Sequence, residues 1–364
     1  MSPTELVQLS NNLLYSSIAG YTVAMLAYTV EWSFGTRSKI GRAAAAIGSP
    51  EVAVRQPVPV TAGARSAGAG SRVGSGPGGG PVDLDGGLLG RPVADRRAEM
   101  AGGAPQRGSR ADKVGRAAVA VTILAFVLQL ASVALSAVAL HRPPWGNMFE
   151  FSVAASLAMT GAYLGLLTRH DVRWLGLFVI TPVLLSLGLA VTVLYVPNEQ
   201  LVPALKSYWL AIHVSAAMIS MGIFTVGGAV SSLFLVKDRA ERRARTGGPG
   251  LSEFARRLPS ADALDRLAYR LHAAVFPLWT FAIIAGAIWA ENAWGKYWSW
   301  DPVETWAFIT WVVYAGYLHA RATAGWKGRR AAIISLVGLF ALTFNYFVIN
   351  IFIPGMHSYS GLTG

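Results

Sequence analysis

Long stretches without a charged residue alternate along this chain with short arginine clusters, and this alternation constrains the fold more than any other feature. Only 14% of the 364 residues are charged, whereas a soluble protein carries about a quarter. Most stretches reach the ~20 residues that a helix needs to cross a hydrocarbon core, where the backbone must satisfy its own polar groups. The pattern predicts an all-α, polytopic integral membrane protein with about eight transmembrane helices. The eight runs are Leu13–Val30, Ala117–Leu140, Phe151–Thr168, Trp174–Val196, Ser207–Val236, Leu271–Ala290, Thr305–Ala320 and Ala331–Ile353.

Lysine and arginine lie almost entirely on one side of these predicted spans. We take the first helix to run from outside to inside and the others to alternate. The inner segments then carry 13, 2, 9 and 4 of the 31 Lys and Arg residues, in the order 36–116, 169–173, 237–270 and 321–330. This positive-inside signal places both termini outside. It also explains the net charge of +12 without nucleic acid, because the charge is spread over four separate loops.

Composition divides the chain into three regions. Residues 1–35 hold the first transmembrane helix, which lacks the basic start and the short apolar run of a secretory signal. Residues 36–113 are rich in Gly, Ala, Pro and Arg, and they are predicted to form a disordered cytosolic linker. Residues 114–364 form a seven-helix membrane domain with an external segment at 290–308. The chain has no cysteine, so disulfides, thiolate nucleophiles and Cys-ligated metals are excluded.

The external segment AENAWGKYWSWDPVETWAF (290–308) is unusually rich in tryptophan. It places Trp294, Trp298, Trp300 and Trp306 within thirteen residues, together with Tyr297. Tryptophan and tyrosine also gather at membrane interfaces as an aromatic belt. A belt needs only one or two rings at each helix end, so five rings favour a surface for a flat apolar partner.

Carboxylates in this segment have a structural explanation. Asp301-Pro-Val-Glu304 reads as a helix start, with Asp301 as N-cap, proline in the first turn and Glu304 closing a capping box. Asn147 and Glu150 repeat the arrangement before Phe151. These acids are therefore interpreted as helix-start residues rather than catalytic groups.

Two histidines flank the tryptophan segment in sequence and are predicted on the same outer face. His213 lies near the outer end of its helix, and His357 follows the last helix. Each alone reads as an ordinary interfacial histidine. Two neutral imidazoles beside aromatic walls are, however, what a haem iron with two axial positions requires. Together with the tryptophans they favour a ligand pair.

The remaining histidines differ in depth. His319 lies near the inner boundary of its predicted span, where ionisable residues are costly and tend to be functional. A histidine that snorkels to the interface is the alternative there. His141, His170 and His272 are placed at helix ends or in loops and are assigned no function.

The motifs together resemble one protein family. Trp-Gly-x-x-Trp-x-Trp-Asp-Pro-x-Glu-Thr-Trp at 294–306 is similar to the signature of the WWD-domain haem-handling proteins. Lys-Ser-Tyr-Trp-Leu-Ala-Ile-His (206–213), Leu-His-Ala-Arg (318–321) and Gly-Met-His-Ser-Tyr (355–359) match its CcsA/ResC (CcsB-type) branch, from System II cytochrome c biogenesis. The resemblance covers about 117–364, including Trp-Gly-Asn-Met-Phe-Glu-Phe at 145–151. The linker has no counterpart.

This resemblance implies a function and assigns residues to it. His213 and His357 would be axial ligands of haem at the tryptophan-rich surface, to which Asp301 also belongs. His319 would hold haem nearer the inside, together with a histidine of a ResB-type partner subunit. The complex would receive haem b from the cytosolic side of a bacterial cell membrane. It would present that haem outside to the Cys-x-x-Cys-His thiols of apocytochrome c, as part of a haem lyase.

Two other functions fit the same sequence features. A haem exporter or chaperone of the System I kind would use the same tryptophan segment to pass haem to another protein. A membrane scaffold would use it only as an anchor in membrane lipid. The Leu-His-Ala-Arg and Gly-Met-His-Ser-Tyr motifs favour the synthetase component.

Overall fold

The computed structural model describes residues 1–34, 110–144, 146–196, 207–248 and 250–357. Every regular element in these residues is a helix, as predicted. The long helices are α1 (Pro3–Phe34), α2 (Arg110–Leu140), α3 (Met148–Leu167), α4 (Gly176–Thr192, after a 3₁₀ turn at Arg173–Leu175), α5 (Tyr208–Arg245), α7 (Ala261–Trp294), α8 (Pro302–Ala322) and α9 (Arg329–Phe344). Three short elements are α6 (Glu253–Arg257), a π turn (Asn345–Ile349) and α10 (Asn350–Phe352).

Most residues of each of the eight apolar runs therefore lie in helices. Among the described residues, seven helices are long and apolar enough to cross a membrane. Helix α8 is not one of these seven. Helix α8 carries much of its apolar surface as tryptophan and tyrosine, and it has Glu304 and Arg321 near its ends. The chain is an all-α, multi-pass membrane protein.

The start of α2 corrects one predicted boundary. The seven-helix domain was expected to begin at residue 114, but α2 begins at Arg110. Its charged first turn is stabilised because Asp112, only 3% exposed, lies 3.4 Å from the Arg173 guanidinium. The rest of the predicted linker, 36–109, lies outside the described residues. So do Trp145, Lys206 and residues 358–359 of the quoted motifs.

Helix α1 packs along α2 through polar as well as apolar contacts. Ser10 and Ser132 each donate a hydroxyl hydrogen bond to the other's carbonyl, at 2.8 Å. The Tyr21 hydroxyl donates to Gln129 Oε1 at 2.7 Å. Such bonds join helices effectively in lipid, where burial of apolar surface provides little driving force. They attach the first helix to the rest of the bundle.

One ion pair joins α1 to the start of α4. Arg173 Nε lies 2.9 Å from Glu31 Oε1, and Glu31 is only 8% exposed. We expect Arg173→Ala to lower the free energy of unfolding by roughly 3 kcal/mol, because it leaves a buried carboxylate without this cation. The apparent midpoint of thermal unfolding in detergent measures the effect. Arg169→Ala, which removes an exposed arginine four residues away, is the control and should leave the midpoint unchanged.

The helices that concern function are α3, α5, α7, α8 and α9. Helix α5 packs against α7 along its length, α3 packs against α5, and α9 packs against α5 and α8. Helix α7 ends at Trp294 with Gly295 in the left-handed conformation, φ 69°. This glycine turn leads into the tryptophan segment and then to the Asp301 cap of α8.

A histidine cavity between helices α3, α5, α7, α8 and α9

His213 is oriented by the neighbouring helix α7. Its Nδ1 lies 2.7 Å from the carbonyl oxygen of Ala282. Because a carbonyl can only accept, Nδ1 carries the proton and Nε2 keeps its lone pair. The ring lies against Gly286, where a Cβ would come within 2.7 Å of it. The packing therefore fixes both the tautomer and the orientation of the imidazole.

His357 is oriented in the same way, but by a carboxylate. Its Nδ1 lies 2.9 Å from Asp301 Oδ1, while the Met356 backbone N–H donates to Asp301 Oδ2 at 2.7 Å. A histidine whose Nδ1–H donates to a carboxylate presents Nε2 for a metal, an arrangement that recurs around protein metal sites. Both histidines thus have the ring nitrogen Nε2 available for ligation.

Asp301 also performs the role predicted for it. The aspartate caps α8 by accepting from the Val303 N–H at 3.0 Å, and Glu304 completes the capping box. Burial alone would raise the pKa of the Asp301 carboxyl. The hydrogen bond and charge of His357 and the backbone N–H groups of Met356 and Val303 outweigh burial and lower that pKa below its usual value. Asp301 is thus an ionised acceptor at neutral pH.

Glu304 folds the turn that precedes α8. Its Oε2 accepts from the Ser299 N–H at 2.9 Å, the Ser299 hydroxyl at 3.1 Å and the Asp301 N–H at 3.2 Å. Trp300, between them, has φ 60°, a left-handed conformation that costs a side-chain-bearing residue roughly 1–2 kcal/mol. The predicted capping role of Glu304 is confirmed, and its hydrogen bonds hold this strained turn in place.

Both histidines line one mainly apolar cavity, and Trp289 lies beside both of them. Trp289 stacks nearly parallel to the His213 ring at 6.3 Å and 10°. It meets the His357 ring edge-on at 5.7 Å. The cavity is also lined by Asn147, Met148, Phe151, Leu210, Val214, Ala217, Met221, Trp279, Val303, Ala307, Leu342, Asn345, Tyr346 and Asn350. Two oriented imidazoles and a tryptophan therefore face the same apolar space.

The four tryptophans selected from the sequence separate into two groups. Trp294 packs on Trp289 at 4.7 Å and on His357 at 5.0 Å. Trp298 and Trp300 instead pack on each other and on Phe308. Trp306 packs on Phe344, at 4.4 Å. Of the four, only Trp294 contacts His357 and Trp289. A haem-packing role for the other three stays a prediction.

Sequence reasoning missed the two tryptophans that line the cavity, Trp279 and Trp289. Both lie inside α7 and are almost completely buried, whereas the sequence prediction concerned the external segment. A signal was present, because Trp289 lies five residues before Trp294 and belongs to the same aromatic group. The sequence did not show that both line the cavity that His213 and His357 also line.

The other histidines lie away from this cavity. His319 is exposed on α8, so its ring is accessible to a partner chain. The placement of His272 at a helix end is wrong, because it lies well inside α7 and is 0% exposed. Helix α7 begins ten residues earlier than the apolar run, at a Ser260 cap, and this extension moves His272 into the interior, where Nε2 lies 2.8 Å from the Ser335 hydroxyl.

The donor set suits a metal that already has equatorial ligands. Among the described residues no group of three or more His, Asp or Glu side chains comes together to hold a metal ion. A bare zinc ion needs three or four protein ligands. The iron of a haem needs only one or two axial ligands from the protein. Two imidazoles beside an aromatic wall therefore fit an iron porphyrin.

Comparisons with known proteins agree on one family. The profile of the family described as "Cytochrome C assembly protein" matches residues 145–357. The cytochrome c biogenesis protein CcsA of Synechococcus elongatus is 43% identical over 197 residues, which cover 44% of this chain and 61% of that protein. CcsA of Gloeothece citriformis is 36% identical over 262 residues, covering 59% of this chain and 79% of that protein. The chain thus spans about three fifths of the first of these relatives.

A solved structure shares the fold. The cytochrome c haem lyase CcmF superposes with a TM-score of 0.56 over 96% of this chain and 47% of that one, at 15% sequence identity. At this identity the likeness concerns the arrangement of helices alone.

Proposed function

The chain belongs to the cytochrome c assembly protein family, and from this premise we propose that it is the haem-presenting membrane subunit of a cytochrome c synthetase complex. It takes haem b across the membrane and holds it on the outer face for attachment to apocytochrome c. One observation carries the proposal. His213 and His357 line one cavity, and each has its Nδ1 engaged so that Nε2 is free for iron.

The cavity would act by binding and positioning. His213 and His357 ligate the iron from the two sides, and Trp289 and Trp294 pack against the porphyrin. In the reaction each substrate thiol adds across a vinyl group. A carbon–sulfur bond forms, the thiol proton ends on the neighbouring vinyl carbon, and no oxidant is consumed. Holding vinyl and thiol together supplies proximity, so no residue of this chain is assigned as general base.

Haem leaves the cavity when one of its two imidazole ligands is replaced. The histidine of the Cys-x-x-Cys-His motif replaces one of the two imidazoles once the thioether bonds have formed. His357 is the better candidate, because it follows the last helix and is held mainly through Asp301. His213 is fixed within α5 by Ala282 and Gly286.

The orientation of the chain in the membrane and its partner subunit belong to the same proposal. If all eight helices alternate across a bacterial cell membrane, both termini and the tryptophan segment lie outside. His319 then lies near the inside on an exposed helix face. There it would hold haem together with a histidine of a ResB-type subunit.

Covalent attachment of haem tests the proposal. We would co-express the chain with a ResB-type subunit and a c-type apocytochrome in a host without other maturation factors. Haem that stays on the apocytochrome in a denaturing gel is the expected result. Haem bound to the complex without attachment would support an exporter or chaperone. A complex without haem would contradict both functions and leave a scaffold.

Asp301→Ala is expected to weaken haem binding by roughly 10- to 100-fold, because outer-shell partners of a ligating histidine have effects of that size. The variant also removes a helix N-cap, which costs about 1 kcal/mol. Haem titration in detergent, followed by absorption, measures the affinity. Ser260→Ala removes the N-cap of α7, away from the cavity, and serves as the control. Equal losses in both variants would mean that Asp301 acts only as a cap.

A further inference from the structure

An open groove lies at the first turns of α2, at the end of this helix that is predicted to face the cytosol. It has a volume of about 640 Å³ and is formed by α2, the end of α3 and the loop that follows α3. None of its lining residues belongs to the histidine cavity. The groove combines cationic side chains, Arg116 and Arg169, with an apolar wall of Val119, Ala120, Ile123 and Leu167.

The arginines of this groove differ in their ion pairs. Arg173, which also lines it, is held by one carboxylate of α1 and one of α2. Arg116 and Arg169 are exposed, and neither makes an ion pair in the part of the chain that the structure describes. Asp171 is the acidic residue of the lining. Two unpaired guanidinium groups against one carboxylate leave the groove with positive charge for an anionic ligand.

The exposed side of α2 changes from cationic to apolar along the helix. Arg110, Lys113 and Arg116 recur every three residues at its start and are all exposed. Further along the same side, Ile123 and Val127 are 46% and 51% exposed. Ile123 follows Arg116 by seven residues, which is ~10 Å along a helix. A cationic end that continues into an exposed apolar side matches a phospholipid, whose phosphate lies at the membrane surface and whose acyl chains enter the hydrocarbon core.

We propose that this groove binds an anionic phospholipid of the cytosolic leaflet. Arg116 and Arg169 bind its phosphate, and Val119, Ile123 and Leu167 pack against an acyl chain. Basic pockets between transmembrane helices on the cytosolic side bind anionic headgroups in this way. A choline headgroup fits less well, because its own positive charge is repelled by the arginines. The site requires only that the chain spans a membrane, and it is independent of haem.

Native mass spectrometry of the purified chain in a neutral detergent measures the binding. The chain is titrated with phosphatidylglycerol, with phosphatidylcholine of the same acyl chains, and with glycerol 3-phosphate. We expect one phosphatidylglycerol molecule to bind about 10-fold more tightly than phosphatidylcholine, because only the former carries a net negative charge. Glycerol 3-phosphate has the phosphate but no acyl chain, and it should not bind measurably. Equal binding of the two lipids, or binding of glycerol 3-phosphate as tight as that of phosphatidylglycerol, would overturn the proposal.

A charge variant assigns the lipid preference to the groove. Arg116→Gln combined with Arg169→Gln should weaken phosphatidylglycerol binding by roughly 10- to 30-fold, since each of these cations contributes to the attraction. The matched control is Arg239→Gln combined with Arg243→Gln, which removes two exposed arginines from the inner end of α5. The control has the same net charge and should bind the lipid like the unmodified chain. Equal losses in both double variants would show attraction by overall charge alone and would overturn the proposal.

A second variant tests the apolar wall while every charge is kept. Ala120 is exposed and lines the groove, so Ala120→Trp places a large ring where the acyl chain is proposed to lie. Phosphatidylglycerol should bind this variant about 10-fold more weakly. Unchanged binding would mean that the arginines act without the groove, contrary to the proposal. Displacement of bound phosphatidylglycerol by an equimolar amount of haem b would assign the groove to haem instead and would also overturn it.

Discussion

Replacing His213 and His357 together by alanine is expected to abolish the bis-imidazole absorption of the external haem. Each variant removes one of the two Nε2 atoms that face the cavity, and no cysteine is present to replace them. The measurement is a haem titration of the complex in a His319→Ala background. This background removes the ligand proposed for haem nearer the inside, so that only the external haem contributes to the spectrum. Single variants should keep a weakened spectrum with one axial ligand, to which added imidazole restores the second.

His170→Ala is the matched control for this experiment. His170 is an exposed histidine outside the cavity, and its loss should leave the spectrum unchanged. A bis-imidazole spectrum that persists in the His213→Ala, His357→Ala double variant would show that other residues hold the iron. The site assignment would then be wrong, whatever the activity of the complex.

Gly286→Ala is expected to weaken haem binding by about 10- to 100-fold, although residue 286 is not itself a ligand of the iron. Its new Cβ would lie 2.7 Å from both Nδ1 and Cε1 of His213. The imidazole must therefore move and lose its bond to the Ala282 carbonyl. At the same time, alanine in place of glycine stabilises a helix interior by up to about 1 kcal/mol. Haem affinity should thus fall while thermal stability is kept, because the helix gain offsets the clash.

The control for Gly286→Ala is Gly188→Ala in α4. A Cβ at residue 188 would meet nothing within 4 Å. This variant should gain helix stability and bind haem like the unmodified chain. Haem binding that is equally strong in both variants would mean that the ring position of His213 is unimportant, contrary to a ligand role.

Asp301 shows how one residue joins fold and site. Its carboxylate caps α8 and at the same time orients His357, which lies 56 residues later. Gly355 makes this contact possible, since a Cβ there would come within 2.4 Å of Asp301 Oδ2. The start of one helix and the segment after the last helix are thereby held together at the cavity.

The sequence by itself determined the helices. A run of apolar residues in a membrane must satisfy its backbone locally, so each of the eight runs lies mainly in a helix. The capping box of Asp301 and Glu304 was equally predictable, because its hydrogen bonds join residues three apart. The motifs that carried the family resemblance are also properties of the sequence alone, and the family is confirmed.

The tertiary structure decided which side chains meet. When a helix is hydrophobic on all sides, its sequence does not show which face turns toward the protein interior. Packing against distant segments sets the rotation of the helix about its own axis. The burial of His272 and the position of Trp289 beside both His213 and His357 follow from such packing. So does the contact of His213 with Ala282, 69 residues away. Local patterns predicted the histidines and the tryptophan segment, while long-range packing selected Trp289, Trp279 and Asp301 to complete the cavity around them.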